Sequence, residues 1–230
     1  MGFDPKVIQF LEAIKHNNNK QWFTQRYDFY QQEILEISRD LVEDLGTELQ
    51  KIAPNINIVP KVNGSIYRFS RDARFSKDKT PYKSHLSYLF WQGALKRTQC
   101  PGFYLSIRPE YIQLGVGINH FTPDYLQAWR QQCAHKKQEK KIYHVFDTLI
   151  KSGAAVYGEQ LKRMPRGYST ELLNQELIRY KGLKCYYQIT LPKEVYSADF
   201  IPLCCQYYQQ LLPMFNWMVA ILNEFTIESK

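Results

Sequence analysis

Seven cations lie between positions 61 and 85, at Lys61, Arg68, Arg71, Arg74, Lys77, Lys79 and Lys83, against two acids, Asp72 and Asp78. The local excess of five makes up most of the +8 carried by the whole chain. Cations packed this closely repel one another, so the segment is costly unless anions are at hand. The two aspartates inside it can hold part of the arrangement together through charge-assisted hydrogen bonds. The remaining groups are left for a ligand. Arginine suits two-pronged contact with phosphate or carboxylate, and lysine acts as a point charge. Ser76, Thr80 and Tyr82 add hydroxyl donors. The expected chemistry is therefore recognition of a phosphate-bearing molecule such as a nucleotide. Its contacts would be Arg68, Arg71, Arg74, Lys77, Lys79, Tyr82 and Lys83, with Asp72 and Asp78 orienting them. A charge run is ordinarily a solvated face. Here Phe75, Pro81 and Tyr82 interleave with the charges, as in a loop packed in one shape, whereas disordered basic arms lack such anchors.

Reaction chemistry is less legible. His85, two residues beyond Lys83, could serve as a general base, and His120 could do the same after its strand. The alternative for each is a hydrogen-bonded histidine at a strand end. Asp72 and Asp78 lie in a loop dominated by cations, where carboxylates are ion-paired in preference to binding metal. The five histidines, at 16, 85, 120, 135 and 144, fall in no H-x-x-x-H or H-E-x-x-H pattern, so no metal ligand set is assigned. Phosphate-loop, dinucleotide-glycine and G-x-S-x-G patterns are absent, and no cofactor follows. Whether the chain is an enzyme stays open. Two other readings stand beside the phosphate pocket. One is a nucleic-acid-binding module that joins the loop to a second cluster, Lys136, Lys137, Lys140 and Lys141. The other is a structural or interaction protein whose loop pins helices to the sheet by ion pairs, favoured if the acidic face of the long N-terminal helix meets the loop.

The segment R-D-A-R-F-S-K-D-K-T-P-Y-K at Arg71–Lys83 resembles the signature of an uncharacterised family, domain of unknown function 2461. The likeness extends to N-N-N-K-Q-W-F at Asn17–Phe23, P-G-F-Y-L at Pro101–Leu105, L-G-V-G at Leu114–Gly117 and P-R-G-Y at Pro165–Tyr168. It covers essentially the whole chain, and the signature shows no departure. The resemblance implies a single domain built as one unit. It brings no reaction with it.

The elements that must position these residues follow from pattern. A chain of 230 residues suits one domain, 1–230, with a sizeable core. A mean hydropathy of −0.45 is that of a soluble globular protein. A pI near 9.1 favours anionic partners, and 17 tyrosines beside cations suit stacking on bases. Five cysteines without C-x-x-C spacing, no leader-like segment at Met1–Phe10 and no apolar run of membrane length point to a reduced cytoplasmic protein without a membrane contact. Asp4-Pro5 starts a first helix to about Lys15. Asn19 caps a long helix from Lys20 to Ile52 with an acidic outer face, Glu33, Glu36, Asp40, Glu43, Asp44 and Glu48.

Strands are expected at Ile56–Val62, Ser65–Arg71, His85–Trp91, Gly102–Arg108 and Tyr111–Ile118. Asn63-Gly64 and Pro109-Glu110 serve as turns between them. The glycines of Leu114–Gly117 signal a bulge, or a close approach by the basic loop or by a ligand. Thr122-Pro123 opens a helix to about Lys137, which puts the second lysine cluster at a helix C-terminus, and another helix spans Lys141–Ser152. A basic loop runs over Gly158–Gly167, a short helix over Glu171–Tyr180, and a last strand over Tyr186–Leu191. Ser197 caps C-terminal helices that Pro213 splits, with Leu203, Tyr207, Leu211, Met214, Met218, Ile221 and Phe225 as their core stripe. The fold class is α+β: a mainly antiparallel central sheet flanked by the long N-terminal helix and the C-terminal helices.

Overall fold

The computed structural model describes residues 2–74 and 76–227, without the side chains of 225–227. Phe75, one expected anchor of the basic loop, and the Phe225 end of the expected core stripe therefore lie outside the described residues. The elements in chain order are α1 (Pro5–His16), α2 (Lys20–Thr24), α3 (Tyr27–Phe29), a π-helical turn (Tyr30–Leu35), α4 (Glu36–Gln50), β1 (Leu86–Trp91), β2 (Gly102–Ile107), β3 (Tyr111–Ile118), α5 (Pro123–Ala134), α6 (Lys136–Lys151), β4 (Ala155–Tyr157), α7 (Gln175–Ile178), β5 (Leu183–Thr190) and α8 (Phe200–Ile227). The strands form one antiparallel sheet in the order β1-β2-β3-β5-β4, so the fold is α+β. Among the described residues no helix is long and apolar enough to cross a membrane. The chain divides into two compact units. The first is Met1–Phe90, Tyr104–Leu114 and Gln188–Gln206; the second is Trp91–Phe103, Gly115–Tyr187 and Tyr207–Lys230.

In the first unit Asp4 caps α1, its carboxylate accepting from the Lys6 N–H at 2.7 Å. One face of α1 buries Val7, Ile8, Phe10, Leu11 and Ile14. Asn19 caps α2 by accepting from Trp22 N–H at 2.9 Å. The expected single helix over Lys20–Ile52 is interrupted. Arg26 leaves the helical region (φ −119°, ψ 16°), and the chain re-enters through α3 and the π-helical turn. Packing sets this cut: the Arg26 guanidinium lies 4.2 Å over the Trp22 ring. Phe23 collects Phe10, Tyr30, Phe69 and Tyr82 at centroid distances of 6.4, 5.3, 5.8 and 4.1 Å. Helical propensity over so few residues is weak against such burial. Further on, the buried Ser38 hydroxyl bonds the Ile34 carbonyl at 2.6 Å and the Tyr88 hydroxyl at 2.8 Å, tying α4 to β1.

Two expected strands of this unit, Ile56–Val62 and Ser65–Arg71, do not form as such. Isolated bridges occur in their place, among them Val62 with Ile66, Ile66 with Tyr88 and Ser70 with Tyr82. The reason is the Asn63-Gly64 turn. Asn63 takes φ +64°. Its N–H donates to Ile66 O and that of Gly64 to Lys61 O, both at 2.9 Å, so the chain coils locally where a ladder was expected. The Ser65 N–H donates to the Val59 carbonyl at 2.7 Å and completes the coil. Tyr67 N–H to Ser87 O and Leu89 N–H to Ser65 O, each 2.9 Å, then lay the segment against the edge of β1. An exposed strand edge is thereby covered.

In the second unit Thr122 caps α5 and Trp129 is fully buried, its indole N–H donating to Leu177 O at 2.7 Å. Gly115 and Gly117 lie flush against β5. A Cβ at Gly115 would meet Cys185 O at 2.8 Å, and one at Gly117 would meet Leu183 O at 2.3 Å. The close approach expected of the basic loop or a ligand is thus made by the neighbouring strand. α6 begins at Lys136, so Lys136, Lys137, Lys140 and Lys141 occupy its N-terminal turns, the opposite pole from the one expected and unfavourable to the helix dipole. The helix expected over Glu171–Tyr180 shrinks to α7. The Leu173 N–H donates to the Glu139 carboxylate at 2.5 Å and the Asn174 amide to Glu139 O at 2.9 Å, so side chains replace the intrahelical bonds. Pro213 does not split α8, which runs on for 28 residues. Burial of Leu211, Met214, Phe215 and Met218 on either side of the proline offsets one missing N–H.

Candidate functional site

The basic loop is knit together from within. Arg74 clamps Asp72 with two parallel bonds, Nε to Oδ1 at 2.9 Å and Nη2 to Oδ2 at 2.7 Å. Arg71 donates to both the Asp78 carboxylate and the Thr80 hydroxyl. Asp78 also accepts the Thr80 N–H at 2.9 Å. Lys79 donates to the carbonyls of Ala73 and Arg74 at 2.9 and 3.3 Å. The Arg74 side-chain bonds hold the Asp72 carboxyl far below the usual carboxylate range. The Arg71 bond, followed by those from Thr80, pulls Asp78 down to about 2. Arg68 lies 3.9 Å from Asp72 and is exposed, as is Lys77. Tyr82 anchors the loop. Its ring stacks on Phe23 at 4.1 Å, and its N–H and C=O exchange bonds of 3.0 and 2.9 Å with the Asn18 amide. The loop signature and the N-N-N-K-Q-W-F motif are thus one packed structure.

Arg74 and Asp72 stand at the surface, where such a pair contributes little. Arg74→Ala is expected to change thermal stability only slightly, with the difference shrinking in high salt, and to leave phosphate binding intact. Titration of inorganic phosphate against both proteins checks this.

Beside the loop, one face of the sheet in the first unit is polar. Alternation places His85, just ahead of β1, and Ser87 on one side, with Leu86, Tyr88 and Phe90 packed on the other. In the same way Tyr104 and Ser106 of β2, with Arg108 just past its end, share a face opposite Phe103, Leu105 and Ile107. Ser87 Oγ and Tyr104 Oη meet at 3.1 Å, which joins the two rows. The Arg108 N–H donates to Tyr111 O at 2.9 Å and closes the Pro109-Glu110 hairpin, setting Ser106 beside Gln113. Gln113 Nε2 in turn donates to Gln188 Oε1 of β5 at 2.9 Å. A polar row, Ser87, Ser106, Gln113 and Gln188, therefore crosses four strands. A second row, His85, Arg108 and Tyr111, runs parallel to it. Lys83 Nζ sits 5.1 Å over the Tyr67 ring, which packs edge-on to Tyr104 at 6.3 Å. Arg108 lies 5.5 Å over Tyr111.

This face holds two unsatisfied groups. Ser106 Oγ and Arg108 Nε are buried without a hydrogen-bond partner among the described residues. Burial pushes the His85 imidazole down to about 3, and the Arg108, Lys83 and Arg71 cations push the same way. His85 is therefore neutral at physiological pH. Its ordinary value is about 6.5, so between about 6.5 and 3 the unfolded chain takes up a proton that the folded one refuses. Stability from this group is complete above about 6.5 and is lost as the pH falls toward 3. His85→Gln is expected to flatten the acid limb of the thermal-midpoint profile across that window, by several degrees at its lower end. A His85 that titrated near 6.5 by NMR would overturn the assignment.

The expected site residues thus separate. Arg71, Lys83 and His85 border the polar face, Asp72, Arg74, Asp78 and Lys79 are committed to the loop's own framework, and Tyr82 is its anchor. His120 is exposed in the second unit, its N–H on Thr98 O at 3.3 Å. The Lys136–Lys141 cluster also belongs to that unit, whereas the loop belongs to the first. Two acidic residues of α4 pair locally, Glu36 with Arg39 and Glu48 with Lys51 at the helix's C-cap, and the loop's aspartates pair with its own Arg71 and Arg74. Arg108, Ser87, Tyr104, Ser106, Gln113 and Gln188 are candidate site residues that sequence reasoning missed. Their signal is the period of two, Tyr104-Ser106-Arg108 and Tyr111-Gln113, which sets polar groups where a sheet buried on both faces would have apolar ones. Among the described residues no three His, Cys, Asp or Glu side chains converge as metal ligands would.

These features define a class: an α+β protein whose antiparallel sheet carries a polar, cation-bordered face beside an internally braced basic loop. The chain belongs to the family described as conserved hypothetical protein, domain of unknown function 2461, whose model matches residues 6–217. No curated protein matches the chain.

Proposed function

We propose that the protein binds a phosphate-bearing ligand on the polar sheet face of its first unit. Arg108 and Lys83 are the cations that meet the anion, with Arg71 behind them, and the Ser87, Tyr104 and Ser106 hydroxyls supply neutral donors. The observation that carries this reading is the Arg108 guanidinium. Its Nε is buried with no acceptor among the described residues, and every charged group that perturbs the adjacent His85 is a cation. A buried donor without a partner calls for an ion or water that completes it, and arginine matches phosphate oxygens with its planar fork. His85, kept neutral, retains a lone pair that can accept a hydrogen bond from a ligand hydroxyl. The five free cysteines, four of them buried, suit the reducing cytoplasm. The test is thermal denaturation with inorganic phosphate and phosphate monoesters. At a hundred times the dissociation constant the midpoint should rise by roughly 5–10 °C. No rise with any phosphate compound at millimolar concentration would sink the proposal.

A further inference from the structure

Resting on that reading, we infer that the ligand is a nucleoside phosphate, and that the Gln113–Gln188 pair reads an edge of its base. The 2.9 Å bond from Gln113 Nε2 to Gln188 Oε1 joins two side-chain amides across β3 and β5. Each amide has two donor hydrogens and one carbonyl acceptor. Pairing leaves the Gln113 carbonyl and the Gln188 amino group for other partners. If both amides are turned over, the roles exchange and the result is the same: one acceptor and one donor side by side. That is the pattern that a nucleobase edge complements, as when a single glutamine contacts adenine through two hydrogen bonds. Carboxylates would repel a nucleotide here, and the nearest acid in the hairpin, Glu110, is paired with Lys15.

The spacing fits the same ligand. Arg108 faces Tyr111 across the hairpin. From Tyr111 the chain advances two residues, about 7 Å, to Gln113, and Gln188 lies one strand further, about 5 Å. A phosphate, a pentose and a base in line cover that distance; a phosphate on a three-carbon body does not. Between the two ends stands the half-buried Tyr111 ring, on the same face as Gln113, with the Arg108 guanidinium 5.5 Å over it. The buried Ser106 hydroxyl, without a partner among the described residues, lies beside Gln113, where a ribose hydroxyl could complete it.

The experiment is isothermal titration of the full chain with inorganic phosphate, ribose 5-phosphate, and the four nucleoside monophosphates. At least one nucleoside monophosphate should bind about tenfold tighter than ribose 5-phosphate. Gln113→Leu, and separately Gln188→Leu, should erase that difference while leaving ribose 5-phosphate unchanged. Ribose 5-phosphate binding as tightly as every nucleotide, or a nucleotide preference that survives both variants, overturns the base assignment alone and leaves the amide pair an ordinary cross-strand contact. Absence of binding by every compound overturns both this inference and the phosphate reading beneath it.

Discussion

Arg108→Ala is expected to remove most of the stabilisation that phosphate esters confer, while leaving the unliganded protein at least as stable as before. A charge-assisted bond to phosphate is worth about 1.5–3 kcal/mol, so affinity should fall by roughly 10- to 100-fold. The second half of the expectation is the more discriminating. A residue that only holds the fold together destabilises it when truncated. Arg108 has a buried Nε with no acceptor among the described residues, so truncation removes an unsatisfied donor. It also removes one of the cations that add to burial in depressing His85, so the imidazole should rise by part of its shift. The aliphatic stem of Arg108 does cover apolar surface, and its loss offsets part of the gain. Arg108→Lys keeps the charge but not the fork, and should retain a part of the binding. Midpoints with and without phosphate, for the three proteins, separate these outcomes. An Arg108→Ala variant that responds to phosphate as the parent does would remove the guanidinium from the site.

Legibility in the sequence followed physical locality. Asp4, Asn19 and Thr122 cap their helices as their types and positions imply, because a cap is decided within three residues. β2 and β3 are legible from alternation alone. The errors lie where distant residues decide. Ser65–Arg71 alternates like a strand, yet its neighbours in space are the Asn63 turn and the edge of β1, and only bridges form. The helix over Lys20–Ile52 has continuous apolar spacing, yet Phe10, Phe69 and Tyr82 converge on Phe23 from other parts of the chain and the helix breaks at Arg26. The same holds for the site. The basic loop is conspicuous because its charges are consecutive, but much of that charge is spent on its own aspartates and carbonyls. Arg108, Gln113 and Gln188 are far apart in sequence, each unremarkable by itself, and only the sheet order β2-β3-β5 makes them neighbours.

Phe69→Ala is expected to be the most damaging single change near the site, more so than loss of any ion pair in the loop. Phe69 is buried, and its ring lies 5.4–6.2 Å from those of Phe10, Phe23, Tyr30 and Tyr82. Truncating a buried phenylalanine costs about 3–5 kcal/mol, which for a chain of this length lowers the midpoint by roughly 10 °C. The loop feels the change directly. The Lys83 N–H donates to Phe69 O at 2.9 Å, the Arg71 N–H to Pro81 O at 2.8 Å, and Tyr82 rests on the same aromatic cluster. A cavity at Phe69 therefore loosens the two loop cations that border His85, and phosphate affinity should fall even under conditions where the variant is folded. Arg74→Ala, by contrast, leaves that hinge intact. Limited proteolysis distinguishes the two: cleavage after Lys77 or Lys79 should accelerate in Phe69→Ala and stay near the parent rate in Arg74→Ala. If the order were reversed, the ion pairs would be what holds the loop in place and the aromatic hinge would be incidental.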